Sequence, residues 1–323
     1  MEKTFLNKIK QLALLSSITV VALNTCQGIE PVNEIDNILS NFLWDFVDNF
    51  SFIAYGFLYT MTGALLFLDS KESIKNKLLN IIKYILSPYL IWQILISISK
   101  VTVLRQSFES LNFFRTVFLL VPFAPDGPLY HMYMAFILSL LSLLIYPILS
   151  NKKYKKTIVI VLSLAGLVSL STITPLQELS KITLLPSVLT YLPAFLLGTV
   201  YKEKDIKSAI TFILPSLALE GFTKGIFKTS VFMSIPYILL ITIDGPKKTG
   251  TLVRYSFLTY AIHPVFIAIV CPIIQTLISS AFLANLVSIL TVTIFSILSS
   301  WIVYQFIKRT IPSLLPYITC NKD

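Results

Sequence analysis

Two histidines are the only imidazoles in the chain. His131 lies in PLYHMYMAF between Tyr130 and Tyr133, and His263 lies in YAIHPVF just ahead of Pro264. Imidazole is the side chain that can take or give a proton near neutral pH without special tuning. Each histidine also has a structural reading. A proline inside a helix frees a carbonyl, and His263 could bond the one that Pro264 frees. The tyrosines flanking His131 equally fit an aromatic belt at headgroup level. Lys77 and Lys83, in KNKLLNIIKYILSPYLIW, could hold a phosphate-bearing donor, or could be an ordinary basic cluster beside a membrane span. Two histidines without a carboxylate cluster make no metal site. Cys26, Cys271 and Cys320 have no metal-ligand spacing and do not make a disulfide framework.

The elements that must position these groups are apolar. Of 323 residues, 55% are hydrophobic and 13% charged, and the mean hydropathy is +0.79. Soluble domains hold about 25% charged residues, so a soluble enzyme and a disordered chain are both excluded. Apolar runs stand at 11–28, 48–68, 78–98, 129–149, 157–174, 183–201, 207–222, 226–243, 252–279 and 283–307. Read as membrane helices, they predict an all-α polytopic protein of about ten spans, at about 20 residues each. The run 207–222 is the weakest, being short and carrying Glu220. The stretch 113–124, with Arg115, is too short to span and reads as an interfacial or re-entrant element. There is no internal repeat and no linker, so 1–323 is expected to be a single transmembrane domain.

Charge sets the orientation. With both termini in the cytoplasm and the spans alternating, 20 of the 26 Lys and Arg fall inside and 6 outside. Basic residues are retained on the cytoplasmic side, so this split fixes the topology and explains the net charge of +10 without nucleic acid. The first outer loop carries Glu30, Glu34, Asp36, Asp45 and Asp48 and no base. At the N-terminus, Lys3, Lys8 and Lys10 before LALLSSITVVAL resemble a signal peptide. Asn24 and Thr25 are poor residues before a lipoprotein cysteine at Cys26, so the expectation is an uncleaved first span.

Five motifs then resemble the acyltransferase 3 family of integral membrane O-acyltransferases. They are YGFLYTMTGALLF (55–67), YILSPYLIW (84–92), PLYHMYMAFILSLLSLLIYPIL (128–149), LPAFLLGTVY (192–201) and YSFLTYAIHPVF (255–266), in the family's order, and the likeness covers about 1–270. The resemblance implies acyl transfer, with acyl-CoA (acetyl-CoA) as donor and a hydroxyl of a lipid-linked or surface glycan as acceptor. It implies no metal, and it implies residence in a bacterial cytoplasmic (inner) membrane. It makes His131 the expected catalytic base, with Asn24, Lys77, Lys83, Tyr130, Tyr133 and His263 as substrate- or donor-binding residues.

The chain also departs from that pattern. In the first span the family carries an arginine and, further on, a histidine; here those places hold Ala13 and Asn24. Asparagine cannot titrate and so cannot serve as a general base. The basic turn holds lysines in place of arginines, which keeps charge and loses the bidentate fork. Tyr133 stands where the family has tryptophan. Two further readings therefore stay open. One is a non-catalytic member assisting polysaccharide export or assembly. The other is a small-molecule transporter, which the lack of an inverted repeat disfavours.

The charge topology is tested by labelling with a membrane-impermeant thiol reagent. Glu34→Cys is expected to label from outside in intact cells and Lys153→Cys only after lysis. Labelling of Lys153→Cys in intact cells would overturn the topology.

Overall fold

The computed structural model describes residues 2–25, 31–68, 72–102, 129–149, 155, 157–163, 185–203, 206–220, 226–246 and 250–319. Asp126, the stretch 113–124, Cys26, Cys320, Lys152, Lys153, Lys156 and most of the run 157–174 lie outside the described residues. Among the described residues there is no strand. Apolar sequence with no water to bond its backbone must satisfy each N–H and C=O locally, and the helix does that.

The main helices are α1 (Glu2–Thr25), α2 (Glu34–Leu66), α3 (Ile74–Ile81), α4 (Ser87–Thr102), α5 (Tyr130–Leu144), α6 (Leu185–Thr199), α7 (Ile206–Leu219), α8 (Ile226–Thr242), α9 (Ser256–Leu277), α10 (Ala281–Thr310) and α11 (Leu315–Thr319). Among the described residues, four helices are long and apolar enough to cross a membrane: Thr4–Thr25, Ile74–Ile98, Thr251–Leu277 and Ala281–Thr310. Shorter apolar helices occupy Tyr130–Leu144, Ile206–Ala218 and Phe227–Thr242. Prolines lie inside α6, α7, α8 and α9, at Pro193, Pro215, Pro236, Pro264 and Pro272. Between α3 and α4 the helix widens to a π turn over Ile82–Leu86. Pro88 is the cause the sequence offers: it has no N–H to give the carbonyl of Tyr84. The N–H and hydroxyl of Ser87 both reach back to the Ile82 carbonyl instead.

Helix α2 is the hub. It packs against α1, α5, α6, α8 and α10. Its approach to α6 is close because both helices are bare where they cross. A Cβ on Gly63 would stand 2.1 Å from the Phe195 carbonyl oxygen, and one on Gly198 would stand 2.0 Å from that of Thr60. The Thr60 hydroxyl completes the crossing, donating to the Ala194 carbonyl at 3.1 Å. Helices in lipid gain nothing from leaving one apolar medium for another, so backbone approach at small residues is what holds them together. A second crossing sets Gly56 against the backbone of Met233 on α8.

Helix α10 shows a related pattern. Ala284, Ser288, Val292, Ser296, Ser300 and Tyr304 recur every fourth residue, and all are buried. This face meets α1 and α9, where Val292 packs with Val21 and Cys271.

Side chains close both ends of the bundle. At one end the Lys77 ammonium donates to the Leu66 carbonyl at 2.5 Å, Lys202 donates to the Leu68 carbonyl, and Lys8 donates to the Leu240 carbonyl at 2.9 Å. These cations meet carbonyls at or just past the C-terminal ends of α2 and α8, where the helix dipole favours them. At the other end Asp36, in the first turn of α2, caps α10. Its carboxylate accepts from the Ser280 hydroxyl at 2.6 Å, Ala281 N–H at 2.8 Å and Phe282 N–H at 3.0 Å. It also accepts from Val32 N–H at 3.0 Å. The Ser280 bond, followed by that from Phe282, holds the Asp36 carboxyl well below the usual carboxylate range.

Two outcomes follow from this packing. Gly198→Leu is expected to abolish folded protein in detergent extracts, read by fluorescence-detected size exclusion. Gly250→Ala, which meets nothing within 4 Å, should match wild type. Asp36 titrates below its unfolded value, so its stabilisation is complete above the unfolded pKa of about 4 and is lost as the pH falls further. Wild type should lose thermal stability below pH 4 more steeply than Asp36→Asn, which should be the less stable of the two at pH 7. Parallel curves would remove Asp36 from the clasp.

Candidate functional site

The α2–α6 crossing places tyrosines next to His131. Tyr55 and Tyr59 are four residues apart and so share one face of α2. Tyr191 lies one turn before the crossing residue Phe195 on α6, and its ring stacks on Tyr59 with centroids 4.4 Å apart. His131, in the first turn of α5, enters this group. Its Nδ1 is 2.8 Å from the Tyr59 hydroxyl oxygen. Its ring stacks on Tyr55 at 3.6 Å and meets the edges of Tyr191 and Tyr130 at 5.4 and 5.5 Å. Four tyrosines thus surround one imidazole.

His131 is 7% exposed and Tyr59 fully buried, so the pair sits inside the protein and not at its aromatic rim. A tyrosine hydroxyl both donates and accepts, so the bond can run either way. Tyr59 can donate to a bare Nδ1, or accept from a protonated one.

His263 lies in the same core, fully buried on α9. Its Nδ1 is 2.6 Å from the Tyr260 carbonyl oxygen. That carbonyl sits four residues before Pro264, so it is the one the proline leaves without a helical N–H. Tyr260 belongs to the same cluster of buried side chains as Tyr59, and its ring is 6.1 Å from that of His263. The two histidines therefore flank one patch of tyrosines.

The other expected residues are placed as follows. Tyr130 belongs to the His131 cage. Tyr133 stacks on Tyr89 of α4 at 5.9 Å, beside it. The Asn24 amide donates to the Val20 carbonyl of its own helix at 2.9 Å. Ala13 packs in a small cluster with Ile9, Phe57 and Leu240. Lys77 is 1% exposed. Besides the Leu66 carbonyl its ammonium meets Glu72 at 3.7 Å and the Tyr146 ring at 5.2 Å. Lys83 stands over the rings of Tyr84 and Tyr317, at 5.2 and 5.4 Å. The two lysines thus have separate partners.

Sequence reasoning missed Tyr55, Tyr59 and Tyr191. For the first two a signal existed, since YGFLY puts two phenols at helical spacing inside a motif already singled out. Among the described residues, no group of three or more His, Cys, Asp or Glu could hold a metal ion.

In chemical terms the site offers one imidazole with a reversible hydrogen-bond partner, ringed by aromatic faces. Aromatic walls exclude water and strengthen each polar contact inside. That combination suits transfer of a proton from a bound hydroxyl.

A family model described as an acyltransferase domain, that of acyltransferase 3, matches residues 12–305. The match runs past the expected 270 to include nearly all of α10. Comparison with curated proteins and with solved structures returns no match.

Proposed function

Because the chain belongs to the acyltransferase 3 family, a family of membrane proteins, we propose that it transfers an acyl group, acetyl being the best fit, from acyl-CoA to a hydroxyl. The acceptor is a lipid-linked or surface polysaccharide, such as an O-antigen or exopolysaccharide, and the setting a bacterial inner membrane with both termini cytoplasmic. The observation that carries this reading is the His131–Tyr59 pair within its tyrosine cage. An acceptor hydroxyl must lose its proton as it attacks the acyl carbonyl. His131 is the base: the hydroxyl gives its proton to the ring nitrogen that faces the substrate. Tyr59 holds the other nitrogen and steadies the imidazolium by accepting from Nδ1–H. Tyrosine faces around the histidine suit the apolar face of a sugar ring. The thiol of CoA leaves with a proton, which His131 returns.

A second reading has its own observation. The first span places Ala13 in an apolar cluster and Asn24 on its own helix, where the family carries titratable or charged groups. A non-catalytic member assisting export or assembly of the polysaccharide would need neither.

The test is acyl content of the native glycan by mass spectrometry, with protein level monitored. His131→Ala is expected to lower acylation by about 10²-fold or more, the usual worth of general base catalysis. Asn24→Ala should cost far less. Full acylation in His131→Ala would end the assignment. Unchanged acyl content on deleting the gene would favour the non-catalytic reading.

A further inference from the structure

His263 differs from His131 in one respect that fixes its tautomer. The partner of its Nδ1 is a backbone carbonyl, at 2.6 Å. A carbonyl can only accept, so Nδ1 must carry the proton. In the neutral ring the lone pair is then confined to Nε2. That atom is wholly inside the protein and has no hydrogen-bond partner among the described residues. The side chain is 0% exposed.

Buried polar atoms are nearly always bonded, and one left alone costs stability. A histidine kept only to mend the helix at Pro264 would not need this nitrogen, since an asparagine amide could donate to the same carbonyl. A second fully buried side chain of this kind stands on α4, which packs against α9. Among the described residues Gln93 leaves both its amide oxygen and its amide nitrogen unbonded. These packed helices thus keep buried polar atoms that their own packing does not use.

We infer that His263 is a second substrate contact of the transfer site: a hydrogen-bond acceptor, fixed in one tautomer by the Pro264 break, whose Nε2 takes an O–H or N–H of the bound substrate. The class of group is set by chemistry. A buried lone pair repels phosphate and carboxylate and favours a neutral donor. Either a hydroxyl of the acceptor glycan or an amide N–H of the CoA pantetheine arm fits. This inference rests on the acyl-transfer reading of the site.

The first experiment reads the tautomer without activity. Protein with ¹⁵N-histidine in nanodiscs should show His263 with Nδ1 protonated and Nε2 bare. An Nε2-protonated ring would overturn the inference. Acetyl-CoA alone and a soluble acceptor saccharide alone are then added. A shift of the Nε2 resonance in one arm supports the inference and names the source. No shift in either arm, from protein that transfers acetyl groups, overturns it. A shift in protein that transfers nothing would keep the contact and remove the acyl-transfer reading.

Substitutions supply the second experiment. His263→Asn retains an amide N–H for the Tyr260 carbonyl and removes the Nε2 acceptor. It should keep the wild-type thermal midpoint and lose about tenfold in transfer, the scale of one lost hydrogen bond. His263→Gln places an oxygen near the Nε2 position and should retain more transfer per folded molecule than His263→Asn. Should His263→Asn fold poorly, the same change is made with Pro264→Ala, which returns a backbone N–H to the Tyr260 carbonyl. Wild-type transfer by folded His263→Asn in either background would overturn the inference.

Discussion

The backbone contact between α2 and α6 is the constraint on which the rest of the molecule depends. Gly63 and Gly198 let two helices approach until a methyl group would strike a carbonyl. That distance sets the rise and rotation of one helix against the other. The contacts run along the pair in order: Tyr59 on Tyr191, Thr60 on Ala194, Gly63 on Phe195, Gly198 on Thr60. Moving the crossing by one turn, about 5.4 Å, would carry Tyr59 away from Tyr191. The α2–α6 side of the tyrosine cage is thus set by two residues that have no side chain.

Basic residues that the charge count expects in the cytoplasm also finish helices. Lys8, Lys77 and Lys202 are among those 20, and each donates to a carbonyl at or near the end of a helix. The two roles agree because carbonyls are orphaned at a helix C-terminus, and cations belong there. Asp36 does the complementary work where donors are orphaned, at the start of α10. Lys77 carries the consequence furthest. An ammonium already bonded to a carbonyl and beside Glu72 and Tyr146 must give up those contacts before it can hold a phosphate.

What the sequence made legible was local or periodic. The apolar runs coincide with helices wherever the chain is described, because a run of that length has one way to satisfy its backbone. The pairing of His263 with the carbonyl freed by Pro264 could be foreseen, since both ends lie within four residues. The tyrosine cage could not. Tyr59, His131 and Tyr191 are brought together by the mutual packing of α2, α5 and α6, and nothing in the spacing of 72 residues from Tyr59 to His131 encodes it. The Asp36–Ser280 clasp spans 244 residues and was equally hidden. The every-fourth-residue line on α10 was visible as a pattern, yet without partner helices it carried no meaning.

The two histidines differ in the kind of partner each Nδ1 has. Proton transfer at Nε2 leaves Nδ1 protonated throughout, so the partner of Nδ1 need only accept. The Tyr59 hydroxyl can accept, and it can also donate to the other neutral tautomer of His131. The Tyr260 carbonyl can only accept, so the neutral His263 ring has one tautomer, with Nδ1 protonated and Nε2 bare. Its lone pair is ready before substrate arrives, and no proton must move to expose it. With Ala13 and Asn24 in the first span, the chain has no third imidazole to take either part. The oxygen facing each Nδ1 thus separates the two rings by tautomer, one able to choose and the other fixed by the backbone, while the proposed proton transfer at His131 rests on its tyrosine cage.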